Sequence, residues 1–178
     1  MNRKLHLTLM LGLTLFLSAC ASNKKDEGPV VESTDNIDRS APADDRNPFG
    51  LTGLGLTVSE LEALGIVGNP LNYKTVYFQY NSSAIDRKSE VISRAHAIHV
   101  GKSNISVVTL EGHADERGTR DYNLALGERR ALAVASLMSN SGAGNAQIRS
   151  VSYGEERPVD SAHNEAAWQK NRRVEISY

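Results

Sequence analysis

Between Gly112 and Gly118 the chain crowds His113, Asp115, Glu116 and Arg117 into one short stretch. Two carboxylates, an imidazole and a guanidinium so close together either simply stay solvated or recognise a charged ligand. The next segment bears on that choice. Asn123, Leu126, Arg130, Ala133, Val134 and Leu137 recur at steps that return to one helix face. A guanidinium on a core-facing stripe is costly unless it is partnered, and Arg129, about 100° further round the helix, is free to be a surface charge. Arg130 is therefore expected to lean toward Asp115. Two arrangements follow from the residues alone. The two groups bridge each other, or they stand apart in one pocket and hold a ligand that carries both an ammonium, for Asp115, and a carboxylate, for Arg130.

Other chemistries fit less well. His113-x-Asp115 offers two metal ligands where three must converge, and its spacing suits a loop hydrogen bond; His96, His99 and His163 lie elsewhere. Neither metal nor cofactor is expected. Asp115 and Glu116 are adjacent, whereas a glycosidase pair needs a separation of at least about 5 Å and two different environments. No G-x-S-x-G elbow, phosphate-binding glycine loop or cysteine nucleophile accompanies them. Arg172-Arg173, opposite Glu175, reads as an exposed strand face.

These residues need a scaffold, and the periodicities supply one. Thr75 to Phe78, Ile105 to Leu110 and Gln147 to Tyr153 read as strands. The last strand alternates, with Val174, Ile176 and Tyr178 inward and Arg173, Glu175 and Ser177 outward. Helical spacing runs from Asp86 to Val100 with Gly101 as its stop, from Thr119 as N-cap to about Asn140, and from Glu165 to Lys170. Gly112 and Gly118 would give the charged loop its freedom. Interleaved strands and helices predict an α/β fold, a two-layer sandwich with helices packed on a small four-stranded mixed sheet. Ahead of it, residues 48–71 mix Leu51, Leu54, Leu61 and Ile66 with glycines. Ser59 and Glu62 resemble a capping box with Gly65 as the stop. Packing on the domain and docking of a partner both remain open for this segment.

The chain has 178 residues, 20 Lys plus Arg against 21 Asp plus Glu, and one cysteine. That balance argues against a nucleic-acid binder, and one thiol excludes an intramolecular disulfide framework. Arg3 and Lys4 precede an apolar run, Leu5 to Leu17, that is too short for a transmembrane helix and reads as a secretory signal peptide, residues 1–19. It ends in Leu17-Ser18-Ala19-Cys20, which resembles a bacterial lipobox. That resemblance implies an acylated Cys20 at the mature N-terminus, and Ser22, where Asp would favour inner-membrane retention, implies sorting to the outer membrane, periplasmic side. Removal of Arg3 and Lys4 leaves 18 basic residues against 21 acidic, so acyl chains rather than a basic patch would do the anchoring. Residues 20–47 are polar, rich in Asp and Pro, and read as a flexible tether.

The stretch T-L-E-G-H-A-D-E-R-G-T-R-D-Y-N-L-A-L-G-E-R-R-A, with V-Y-F at Val76 to Phe78, V-S-Y-G-E-E-R-P from Val151 and N-R-R-V-E from Asn171, resembles the OmpA-like peptidoglycan-binding domain. The likeness covers residues 72–178 and is greatest to the lipoproteins of the Tol–Pal system. It implies non-covalent binding of peptidoglycan through the meso-diaminopimelate of its stem peptide. Asp115 would take the ammonium and Arg130 the carboxylate, Asn123 and Leu126 would line the wall, and backbone groups around Tyr80, Asn81 and Ser82 would complete the pocket. Asn81 stands where many members carry Asp, so it brings no charge. The resemblance also implies TolB and other Tol-system proteins as partners and outer-membrane lipid as the anchor. The alternatives are a periplasmic module that mainly docks TolB and, at a greater distance, a wall-remodelling enzyme.

Overall fold

A computed structural model describes residues 49–51 and 53–178. The expected signal peptide (1–19), Cys20 with its acyl chains, Ser22 and the tether (20–47) lie outside the described residues. The elements run α1 (Val58–Ala63), β1 (Thr75–Tyr77), α2 (Arg87–Lys102), β2 (Val108–His113), α3 (Arg120–Asn140), β3 (Ile148–Gly154), α4 (Glu165–Asn171) and β4 (Arg173–Ser177), with single turns of 3-10 helix at Pro70–Asn72 and Asn145–Gln147. The sheet order is β1-β4-β2-β3. β2 and β3 pair in parallel, while β4 runs antiparallel to both β1 and β2. This is the predicted four-stranded mixed sheet.

Helices α2 and α3 cover one face of the sheet. Even-numbered positions point to them: Val76, Val108, Leu110, Val174 and Ile176 are buried there with Val91, Ile92, Ala95, Ala131, Val134 and Met138. The approach of α3 to β2 is unusually close. A Cβ on Gly112 would lie 2.0 Å from the Gly127 carbonyl oxygen, so both glycines are needed for backbone contact. Gly112 thus serves closeness, not loop freedom. Gly118 does take a left-handed φ of +127°, which glycine adopts without strain. The buried stripe of α3 runs Asn123, Leu126, Arg130, Ala131, Val134 and Met138, with Ala131 and Met138 in the places expected of Ala133 and Leu137. The drift follows from the 3.6-residue turn.

Several local expectations are corrected. Gly101 does not stop α2, which continues to Lys102 with Ser103 as its C-cap. Gly101 instead makes room for the Gly142 carbonyl oxygen, 2.2 Å from where its Cβ would be. The capping box of α1 is Thr57 with Glu60, whose side chains and backbone N–H groups satisfy each other, two residues before the predicted pair. β2 begins at Val108, three residues later than expected, and the Ile105 carbonyl ahead of it accepts from Gln147 Nε2 at 2.7 Å. It runs on through a register shift to His113, so the charged loop is shorter than expected. Arg173 faces away from the helices as expected but is buried there, not exposed: Nε donates to Glu175 and a terminal nitrogen to the Arg157 carbonyl. Tyr178 lies past the end of β4; its ring turns toward α2 as expected, with the hydroxyl 2.9 Å from His96 Nδ1, but the residue stays 39% exposed. In the 48–71 segment, Leu51, Leu54, Leu61 and Ile66 are buried in the core, and the Gly65 carbonyl accepts from Lys88 Nζ at 2.9 Å. The described part of this segment packs on the domain.

Candidate functional site

The end of β2, the start of α3 and the turn after β1 meet around a cavity of about 330 Å³, at the small end of ligand sites. Thr119 caps α3 by accepting from the Tyr122 N–H, which fixes the helix entry directly beneath the charged loop. Asp115, Arg130, Leu126, Tyr80 and Asn81 all line the cavity, as do Arg117 and Tyr122. Two of the expected residues do not. Asn123 is buried and donates to Glu155 across the β3–α4 connection. Ser82 takes part only by accepting from Arg130 through its carbonyl. Asn81 adopts φ +53°, a left-handed conformation that Asn tolerates better than most side chains, and accepts a hydrogen bond from the Tyr122 hydroxyl.

Asp115 and Arg130 do not bridge each other. Arg130 is 0% exposed, and its guanidinium donates to three backbone carbonyls: Nε to Ser82 at 2.9 Å, and the terminal nitrogens to His113 at 2.7 Å and Gln79 at 3.1 Å. A guanidinium has five N–H groups, so two are left over. Burial lowers its pKa to about 10, opposed by the Asp115 charge; the group is still a cation at neutral pH.

Asp115, 4% exposed, is instead held by two arginines that the sequence reading did not assign to the site. Its Oδ1 accepts from the Arg117 backbone N–H at 3.1 Å and from Arg117 Nε at 3.3 Å, and its Oδ2 accepts from a terminal nitrogen of Arg117 at 2.8 Å and one of Arg172 at 3.2 Å. Burial pushes the carboxyl up, but the hydrogen bonds from Arg117 and Arg172 outweigh it and hold the group below the usual carboxylate range. Arg172 is buried, corrects the expected exposed face, and is pinned by the Phe78 carbonyl at 3.1 Å and Glu165 at 2.7 Å. The one available signal for it was the pair Arg172-Arg173 beside an alternating strand, too common a pattern to single it out. Arg117 lies between the rings of Tyr80 and Trp168, 4.1 and 4.2 Å from their centroids. Trp168, on α4, is distant in sequence and carried no signal.

His113 does not make the expected loop hydrogen bond. It is buried on the sheet face opposite α3, stacks on Tyr153 at 5.6 Å, and neither ring nitrogen has a hydrogen-bond partner. Burial, reinforced by Arg173, lowers its pKa to about 4. No group of three or more His, Cys, Asp or Glu side chains among the described residues is placed to hold a metal. What the cavity offers is a buried cation with spare donors and a buried anion a short way across, with Leu126 as wall and two tyrosines at the rim.

Comparison with known proteins places this arrangement in context. The sequence pattern of the OmpA family matches residues 77–172. The chain is 35% identical over 178 residues to the peptidoglycan-associated lipoprotein of Pasteurella multocida, covering 100% of both. It is 52% identical over 104 residues to that of Pseudomonas aeruginosa, spanning 57% of this chain and 60% of the relative. Its fold is similar to the crystal structure of the peptidoglycan-associated lipoprotein from Burkholderia pseudomallei, with 39% identity, a TM-score of 0.60, and coverage of 61% of this chain and 92% of that one.

Proposed function

The chain belongs to the OmpA family, alongside the peptidoglycan-associated lipoproteins, and from that membership we propose that it binds peptidoglycan non-covalently and ties the outer membrane to the wall. The ligand is the free end of meso-diaminopimelate in the stem peptide, which bears an ammonium and a carboxylate on one carbon. The observation that carries this reading is that Asp115 and Arg130 line one cavity without neutralising each other. The two N–H groups that Arg130 keeps would grip the carboxylate, Asp115 would take the ammonium, and Leu126 would pack on the methylene chain. Acyl chains on Cys20 and a tether over residues 20–47 would hold the domain at the outer membrane's periplasmic side. Many anchored copies on one polymer give avidity, so each contact can be weak.

The role proposed is adhesive, not catalytic. Its relatives are named for association with peptidoglycan, and Asp115, the only deeply buried carboxylate among the described residues, is engaged by two guanidinium groups instead of being poised as an acid. We also propose TolB and the Tol system as protein partners at the same mouth. The cavity rim exposes Tyr80 and Tyr122, with Leu124 exposed on the neighbouring helix surface, and such apolar side chains suit a protein partner that excludes the wall. Co-sedimentation with purified sacculi tests the main reading. The wild-type chain should pellet with the wall, and free meso-diaminopimelate should release it. Sedimentation that diaminopimelate does not reverse would contradict the assigned ligand.

A further inference from the structure

Asp115 has no spare acceptor. A carboxylate offers about four lone-pair sites, and the two oxygens of Asp115 already accept four hydrogen bonds, three of them from Arg117 and one from Arg172. A ligand ammonium can therefore reach it only if a present donor leaves. The candidates are not equivalent. Arg172 is buried and held at two further points, by the Phe78 carbonyl and by Glu165. The Arg117 backbone N–H is part of the tight turn that shapes the loop. The Arg117 side chain, in contrast, is 28% exposed and lines the cavity itself.

We infer that the Arg117 side chain is an internal competitor that closes the anionic half of the site and must swing away before a ligand ammonium can bind Asp115. The inference rests on the proposed ligand reading and adds to it a regulating residue. The structure supplies the place to which Arg117 retreats. A terminal nitrogen already lies 3.2 Å from Glu165 Oε2, and the Trp168 ring can keep the guanidinium in place from α4. On release Arg117 gives up Asp115 and keeps Glu165. A cation is thus exchanged for a cation at Asp115, which keeps Arg172 and the Arg117 backbone N–H while the side chains trade places. Selectivity follows as well. A ligand with a carboxylate but no ammonium can engage Arg130 yet cannot open the gate.

The test is calorimetric titration of free meso-diaminopimelate into the full-length chain and its Arg117→Met variant, which keeps an unbranched stem between the two rings. Loss of the competing charge-assisted hydrogen bonds should tighten binding by about tenfold. Wild-type binding with an equal or weaker variant would overturn the gate while leaving the ligand assignment standing. Absence of binding to either protein would overturn the ligand assignment and the gate with it. A second measurement needs no variant: on saturation with meso-diaminopimelate, the Arg117 Nε–H resonance of the wild-type chain should move to a solvent-exposed position while that of Arg172 stays. An unmoved Arg117 signal at saturation would also overturn the proposal.

Discussion

Arg130 illustrates how one side chain serves fold and ligand together. Its three carbonyl acceptors come from the turn after β1 and the end of β2, so it stitches the cavity walls before any ligand arrives. Arg130→Ala should therefore cost roughly 2–4 kcal/mol in denaturant unfolding, through the orphaned carbonyls, as well as abolishing wall binding. Arg130→Lys should keep most of the charge and lose the fork geometry. His113 makes a different prediction. Its pKa of about 4 lies below the unfolded value of 6.5, so the unfolded chain binds the extra proton. The stability due to neutral His113 is full above about pH 6.5 and is lost as pH falls toward 4, by at most about 3 kcal/mol. Arg173, Arg157 and Glu175 are the charges around it. His96, lowered by burial, adds to the same acid-side loss. His113→Phe, which keeps the stacking on Tyr153, should flatten the stability profile between those two pH values. An unchanged slope in thermal melts across that range would contradict the assignment.

At the scale of elements, the sandwich was legible because strand and helix periods alternate cleanly and because apolar positions outnumber competing signals. Helix starts were read well where a capping side chain stood alone, as at Asp86 and Thr119. Gly65 after α1 and Gly118 behave as expected, but two other glycines misled, since a sequence does not reveal whether a glycine ends a helix or admits a neighbouring backbone. Gly101 and Gly112 both do the second. Gly112→Ala should therefore be more damaging than any exposed glycine substitution, with loss of several kcal/mol or failure to fold, read as the denaturant midpoint beside that of Gly142→Ala, where a Cβ meets open space but a φ of +116° sets its own smaller strain. The candidate site was partly legible. The helix face brought Arg130 to the loop that holds Asp115, but the partners of Asp115 come from Arg117, whose pairing is local, and Arg172, which reaches it across 57 residues. Charge pairs between distant segments leave no period behind. The same holds for Trp168, which meets Arg117 only once α4 is folded.

For the whole molecule, the proposal gives the short N-terminal part and the longer folded part different work. The sheet and its two covering helices hold a small charged cavity at one end, while the segment that precedes the described residues carries the expected lipid signal and tether. No helix of the described residues is long and apolar enough to cross a membrane; the membrane attachment proposed above is through acyl chains on Cys20. If the proposed tether and weak site hold, the link to the wall would be reversible, since contacts could break and reform along the wall without release of the anchor. In the proposed function, opposite buried charges kept apart in one cavity clasp a zwitterionic end group. The most direct measurement is titration of meso-diaminopimelate into the full chain and into Asp115→Asn, with folding of both checked by thermal melt. The account predicts saturable one-site binding to the wild type and loss of at least tenfold in affinity in the folded variant, as expected for a charge-assisted contact. Equal affinity in the two proteins would contradict it.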